Sequence, residues 1–195
     1  AFDTDNNVMY LYGGAGKDYS VENTVSAADM SAATLRAQWA SKSASAARSF
    51  VGAAGAYRAK GKDSDLSAAY FFGGMSDPLG DGSSERDVQR WLVKAGQWER
   101  LMVSNASEFD ARSFASAAYD PVHDVIWVVG GIGTCKLTDV LGGASCNARP
   151  IATNYLSWDA TTGEPKWNTL ASGNQSYYAA TMVYDAPRTR MLIFG

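Results

Sequence analysis

Few side chains in this sequence are equipped for chemistry. There are two cysteines, Cys135 and Cys146, and one histidine, His123. Two cysteines eleven residues apart can close a loop with a disulfide or stand as reduced thiols. An unstrained bridge across such a loop adds roughly 2–3 kcal/mol on the chain-entropy account. No His, Cys, Asp and Glu residues fall at spacings that suit zinc or copper. One histidine, in a turn sequence, does not build a Ser-His-Asp arrangement. The carboxylates Glu108, Asp110, Asp120, Asp124 and Asp139 read as turn-forming or solvated groups rather than as an acid–base pair. "GGAGK" (13–17) lacks the spacing of a phosphate-binding loop, and "GGIG" (130–133) has no acidic partner in a strand-helix unit. No catalytic residue, metal ligand or cofactor is expected.

The remaining chemistry is covalent and peripheral. Asn105-Ala106-Ser107 and Asn174-Gln175-Ser176 are glycosylation sequons. Each acceptor follows a tryptophan, Trp98 or Trp167, by seven residues. Matched sequons beside a loop cysteine pair favour the extracellular space or the secretory lumen, with Cys135 and Cys146 bonded and glycans at Asn105 and Asn174. A net charge of −3 without a basic patch gives nucleic acid no footprint. No stretch approaches the ~18 apolar residues of a membrane span. No signal peptide is visible, since Ala1 falls in the middle of a structural pattern. Aromatic residues make up 12% of the chain, which argues for a packed core over disorder.

What positions these groups is a repeat. "NVMYLYGG", "AAYFFGG" and "VIWVVGG" end at Gly13-Gly14, Gly73-Gly74 and Gly130-Gly131, and "MLIFG" ends at Gly195. The steps between first glycines are 60, 57 and 65 residues, so one unit recurs along the chain. Each apolar run reads as a buried strand, and each unit as four short antiparallel strands. In the fullest unit these are 111–122, the run ending at Gly131, 154–165 and 166–170. In the unit before they are 47–57, 66–74, 87–96 and 97–103. Trp39, Trp98 and Trp167 fall in the fourth strands, and Arg-Ser-Phe recurs at 48–50 and 112–114. Asp3, Asp120 and Asp185 stand ten residues before a first glycine, where a carboxylate can bind the amides of a hairpin turn.

The glycine pairs, together with Trp158-Asp159 and Trp167, resemble the kelch repeat, the blade of a β-propeller. Asp29 and Trp39 match with a longer gap, and no Asp precedes Trp98 at that place. The resemblance implies an all-β, kelch-like propeller segment of roughly three four-stranded antiparallel blades. Blade-like units fall at about 1–44, 45–105, 106–172 and an incomplete 173–195, all within one domain. It also implies that the glycines lie where a side chain would strike the neighbouring blade. Propellers close with four to eight blades, so a segment of a larger ring is expected. "WDATTGEPKW" (158–167) resembles the repeat of quinone-dependent dehydrogenase propellers but occurs once.

The expected function is a non-catalytic module for protein binding or assembly in a secreted or membrane-tethered glycoprotein. Its partners would be another protein or the remaining propeller blades. The alternative is a segment of a propeller enzyme, of copper oxidase or quinone-dependent dehydrogenase type, with its catalytic residues outside this chain. Alternating strand direction places loops 75–86 and 132–153 and both sequon loops on one face. The cysteine loop is the expected contact surface.

Overall fold

The computed structural model describes residues 1–18, 20–22, 24–31, 39–43, 50–61, 64–79, 83–133, 135–136, 139, 152–170 and 177–195, with Lys42 and Ser43 as backbone only. The first sheet contains β1 (Phe2–Asp3), β2 (Val8–Tyr12), β3 (Val25–Asp29) and β4 (Trp39–Ser43). The second contains β5 (Ala54–Arg58), β6 (Ala68–Phe72), β7 (Val88–Leu92) and β8 (Gln97–Arg100). The third contains β9 (Ser116–Asp120), β10 (Val125–Val129), β11 (Asn154–Trp158) and β12 (Pro165–Thr169). A fourth sheet has β13 (Thr181–Asp185) and β14 (Arg190–Phe194). Strands follow chain order in every sheet, and neighbours run antiparallel. The fold is therefore all-β and built of successive propeller blades.

Strand alternation explains how the blades stack, because side chains two apart share a face. On β2, Tyr10 and Tyr12 pack into a core with Phe71 and Trp91 of the second sheet. On β6, Ala69 and Phe71 look back to the first sheet, while Tyr70 and Phe72 look forward into a core with Ile126, Val128, Leu156 and Trp167. Served on both faces, β6 is buried along its whole length. The fourth-strand tryptophans look backward. Trp98 lies 4.7 Å from Tyr12 and 5.7 Å from Phe71 between ring centroids. Trp167 meets Phe72 edge-on at 5.7 Å and stacks on Phe109 at 4.2 Å. Trp39, at the same register position of the first sheet, is 47% exposed.

The glycine pairs work by collision avoidance, as the sequence implies. A Cβ on Gly13, Gly73 or Gly130 would come within 2.3 Å of Phe50 O, 2.1 Å of Arg112 O and 2.2 Å of Tyr177 O respectively. Each of those carbonyls belongs to the segment entering the next blade. All three glycines also have positive φ, a region that side chains disfavour. The second glycine donates its N–H to the same carbonyls: Gly14 to Phe50, Gly74 to Arg112 and Gly131 to Tyr177.

These contacts correct the reading of the first strands. The regular strands begin later than the sequence suggests, at Ala54 and Ser116. Residues 50–53 and 112–115 instead make irregular bonds to their own second strand and to the preceding blade. The repeated Arg-Ser-Phe is also not one structural position. Phe50 and Arg112 are the equivalent residues, since each accepts from the preceding glycine pair. The triplets are thus offset by two residues, and Arg48 and Ser49 lie outside the described residues. Two residues further on, Gly52, Phe114 and Ala179 all have positive φ. Phe114 N–H donates to Gly52 O at 2.7 Å, and Ala179 N–H donates to Phe114 O at 2.8 Å. Main-chain bonds therefore link one blade to the next through the second, third and fourth.

The hairpin aspartates behave as expected in two blades of three. Asp3 accepts from the N–H groups of Asp5 and Asn6, and Asp120 from those of Val122 and His123. Asp185 instead pairs with Arg188 and Arg190.

Candidate functional site

The cysteine loop leaves the third blade directly after its glycine pair. Ile132 pairs with Ser113. Cys135 is buried in a small apolar cluster with Met75 and Ile132, against which Phe114 packs. Met75 follows the glycine pair of the second blade as Ile132 follows that of the third. The two loops predicted to share a face are joined there. Ser84 Oγ donates to Ser113 Oγ at 3.1 Å and to Ile132 O at 3.3 Å, and it also bonds Gly133 O. Loop 75–86 thus braces the root of loop 132–153. No described cysteine is free. Cys146, and all of 140–151, lie outside the described residues.

Arg112 anchors this face from beneath. Its guanidinium is fully buried and lies 4.5 Å from the Phe109 ring. It donates to the carbonyls of Asp110 (3.1 Å), Gly130 (3.3 Å) and Ala152 (3.0 Å), and to Asn154 Oδ1 (2.5 Å). Asn154 in turn donates to Glu108 O and Thr169 Oγ1. Burial pushes the Arg112 pKa down to about 10, which still leaves it charged at neutral pH. Gly130 and Ala152 lie just outside β10 and β11, and Arg112 supplies donors to their carbonyls. The side chain therefore ties both ends of the 132–153 loop to the blade.

The sequons divide. Asn105 spends its carboxamide on the next blade: Nδ2 donates to Trp167 O at 2.8 Å, and Oδ1 accepts from Trp167 N–H at 2.9 Å. It pairs with the outer strand β12 as an added strand would. Asn174 lies outside the described residues. His123 occupies the β9–β10 turn with its side chain 69% exposed, and its Nδ1 is 2.7 Å from Asp120 Oδ2. Burial alone would raise the Asp120 pKa, but the hydrogen bonds from His123 and Val122 outweigh it and hold the carboxyl below its usual range.

The opposite face holds a group that no motif in the sequence marks. Arg58 stands where the other blades carry their hairpin aspartate, and its exposure is 5%. It reaches across to the third blade, donating through Nε (2.9 Å) and Nη2 (2.7 Å) to Asp124. Lys60 Nζ lies 2.6 Å from the same carboxylate, and Tyr119 OH donates to it at 2.9 Å. The guanidinium sits 3.4 Å from the Trp158 ring centroid, a close cation–π contact. Burial works against the Asp124 charge, but the bonds from Arg58 and Lys60 prevail and hold its pKa at about 2. The available signal was positional: Tyr57-Arg58 replaces the aromatic-Asp pair, and loop 59–67 is longer than turns 4–7, 121–124 and 186–189. Among the described residues, no group of three or more His, Cys, Asp or Glu is arranged to hold a metal. Among the same residues, no helix is long and apolar enough to cross a membrane.

Blades joined through a glycine-pair seam define a β-propeller-like protein, and comparison with solved structures agrees. YjhT superposes with a TM-score of 0.61 at 18% identity, over 98% of this chain and 59% of that one. A fungal alcohol oxidase of the AA5 family, in complex with copper, gives 0.59 at 15% identity, over 93% and 33%. A chain of the RAG complex with one melted and one unmelted RSS gives 0.64 at 15% identity, over 93% and 52%. The chain spans little more than half of YjhT and about a third of the oxidase. These likenesses show the fold. No protein-family model and no curated protein matches the sequence.

Proposed function

We propose that this chain is part of a kelch-type propeller that acts as a non-catalytic binding or assembly module in a secreted or membrane-tethered glycoprotein. The carrying observation is the anchored cysteine loop. Cys135 is buried against Met75 and Ile132, Ser84 braces the loop root, and Arg112 ties down both ends. A Cys135–Cys146 bridge would close a projecting loop on that rigid base, and residues 132–153 would contact a protein partner. Rigid blades presenting a held loop suit recognition, because little ordering cost remains to be met on binding. We assign the glycan to Asn174 first, since the Asn105 carboxamide is committed to Trp167. Further propeller blades would cover the apolar side chains left bare at the two outer faces, such as Leu11 and Trp39 on the first blade and Phe194 on the last.

The test is removal of residues 136–145 with both cysteines kept, in protein secreted from a eukaryotic host. Partner binding should disappear while the circular dichroism and melting curve are retained. Peptide mapping should find Cys135 bonded to Cys146 and a glycan on Asn174. Unchanged partner binding after the deletion, or two free thiols, defeats the reading.

A further inference from the structure

Two roles compete for the carboxamide of Asn105. Asn105-Ala106-Ser107 is a glycosylation sequon, and the same side chain joins the second blade to the third. The joint is made at the outer rim, where β12 is the last strand of its sheet. Leu170 N–H donates inward to Thr153 O. Main-chain groups of an antiparallel pair alternate in direction, so Trp167, three residues earlier, turns its N–H and C=O away from β11. Asn105 meets both groups, with Oδ1 2.9 Å from the nitrogen and Nδ2 2.8 Å from the oxygen. The carboxamide thereby closes a strand edge that is otherwise open to pairing. The main chain of Asn105 is held as well, because its carbonyl accepts from Glu108 N–H at 3.0 Å across the turn Ala106–Glu108. Ser107 stays exposed.

Nδ2 carries two hydrogens, and the geometry selects one of them. Oδ1 and Nδ2 bond the two main-chain groups of a single residue, so both bonds leave from one edge of the planar carboxamide. The hydrogen in use is therefore the one on the Oδ1 side. Glycan transfer replaces a hydrogen at that same position. A bond forms between Nδ2 and C1 of the sugar, the bond from C1 to the diphosphate of a lipid-linked donor breaks, and Nδ2 gives up a proton. The product is a secondary amide, which keeps its substituent trans to the carbon chain and hence on the Oδ1 side. The remaining hydrogen points away from Trp167 O.

We infer that glycosylation of Asn105 and closure of this rim exclude each other, so Asn105 is a latch between blades that a glycan would hold open. The inference rests on reading the chain as a glycoprotein, and it adds an order of events to that reading. Trp167 follows Asn105 by 62 residues, a length synthesised in roughly 3–12 s at about 5–20 residues per second. A chain modified within that interval carries a sugar where Trp167 O must dock. A chain that passes it unmodified latches and withdraws Nδ2 from the transferase.

Two assays test this. A synthetic peptide of residues 101–112 and the complete folded chain are each offered to a eukaryotic oligosaccharyl transferase with a lipid-linked oligosaccharide donor. Trypsin releases the same segment from the chain, between Arg100 and Arg112, and mass spectrometry compares occupancy of Asn105. The peptide should be modified, and the folded chain at least about tenfold more slowly, as expected when the nitrogen is reached only through local opening. Rates closer than that, or a peptide that stays unmodified, overturn the exclusion. In the second assay Ser107→Ala removes the sequon but keeps the latch, and the melting temperature should not move. Asn105→Asp removes the sequon and the Nδ2 donor while keeping Oδ1, and it should lower the melting temperature by about 2–4 °C. Equal melting temperatures for the two variants overturn the latch. Neither assay involves the cysteine loop, a partner or Asn174, so failure of the latch is told apart from failure of the binding-module reading.

Discussion

The seam between the second and third blades is sealed, and the seam between the third and fourth is open. Both use the same backbone joint, a glycine pair against the carbonyl of the entering segment. What differs is that the third sheet brings four strands to its seam and the fourth sheet, within this sequence, brings two. The sealed seam has Trp167 stacked on Phe109 and set against Phe72, and Arg58 clamped between Asp124 and Trp158. The open seam has Asp120 in the place of Arg58 and a cleft in the place of the tryptophan. The backbone joint therefore sets where blades sit, and the third and fourth strands decide whether the space between them is filled.

The largest expected effect tests the filling. Trp167→Ala removes a side chain that is 1% exposed and should cost about 3–5 kcal/mol, as large core truncations do. Trp39→Ala, at the same register position but 47% exposed, should cost less than about 1 kcal/mol when residues 1–195 are studied alone. Chemical denaturation of both variants checks this, and similar losses would break the comparison.

The joint comes next. Gly73→Ala combines positive φ with a Cβ 2.1 Å from Arg112 O and should cost about 3 kcal/mol. Gly96→Ala has similar φ with nothing within 4 Å. It isolates the backbone strain and should cost only about 1 kcal/mol. Thermal melts of the pair separate collision from conformation.

The polar clamp is smaller. Arg58→Met keeps the apolar stem against Trp158 but strands Asp124 with Lys60 and Tyr119 as its remaining partners. A loss of about 2 kcal/mol is expected, below the range for fully buried pairs because Asp124 is partly exposed. Unfolding free energies from urea titration read it directly.

The smallest effect is the pH dependence of that clamp. The Asp124 carboxyl titrates at about 2 in the folded chain, below its ordinary 3.8. Its contribution is therefore complete above about pH 4 and fades as pH falls from there toward 2. Asp124→Asn should flatten the melting temperature across that interval and leave its slope above pH 5 unchanged.

The strands were legible because their signals are local. Val125–Val129 is β-branched and aromatic and runs into glycine, and every second strand is likewise a mostly apolar run that ends at glycine. The glycine role was legible too, since the same pair recurs at 13–14, 73–74 and 130–131. What escaped the sequence depends on contacts far apart in the chain. Arg58 inside a strand reads as an outward polar residue until Asp124, 66 positions later, is seen opposite it. Arg-Ser-Phe recurs as letters, yet its copies differ by two positions, because register here is fixed by main-chain bonds rather than by side chains. Asn105 reads as a glycan acceptor in sequence, and only the neighbouring edge strand reveals that its carboxamide is engaged.

The link that runs from Gly52 through Phe114 to Ala179 has a consequence for how such chains grow. It is made wholly of main-chain groups, and a glycine, a phenylalanine and an alanine serve it equally. A joint that ignores side-chain identity survives gene duplication without further change. New units can be copied in and begin to diverge at once, with the coupling between them already guaranteed by the peptide backbone. A repeated triplet can sit two positions apart in successive units, as Arg-Ser-Phe does, while the glycine-to-carbonyl bond of the joint recurs at every seam.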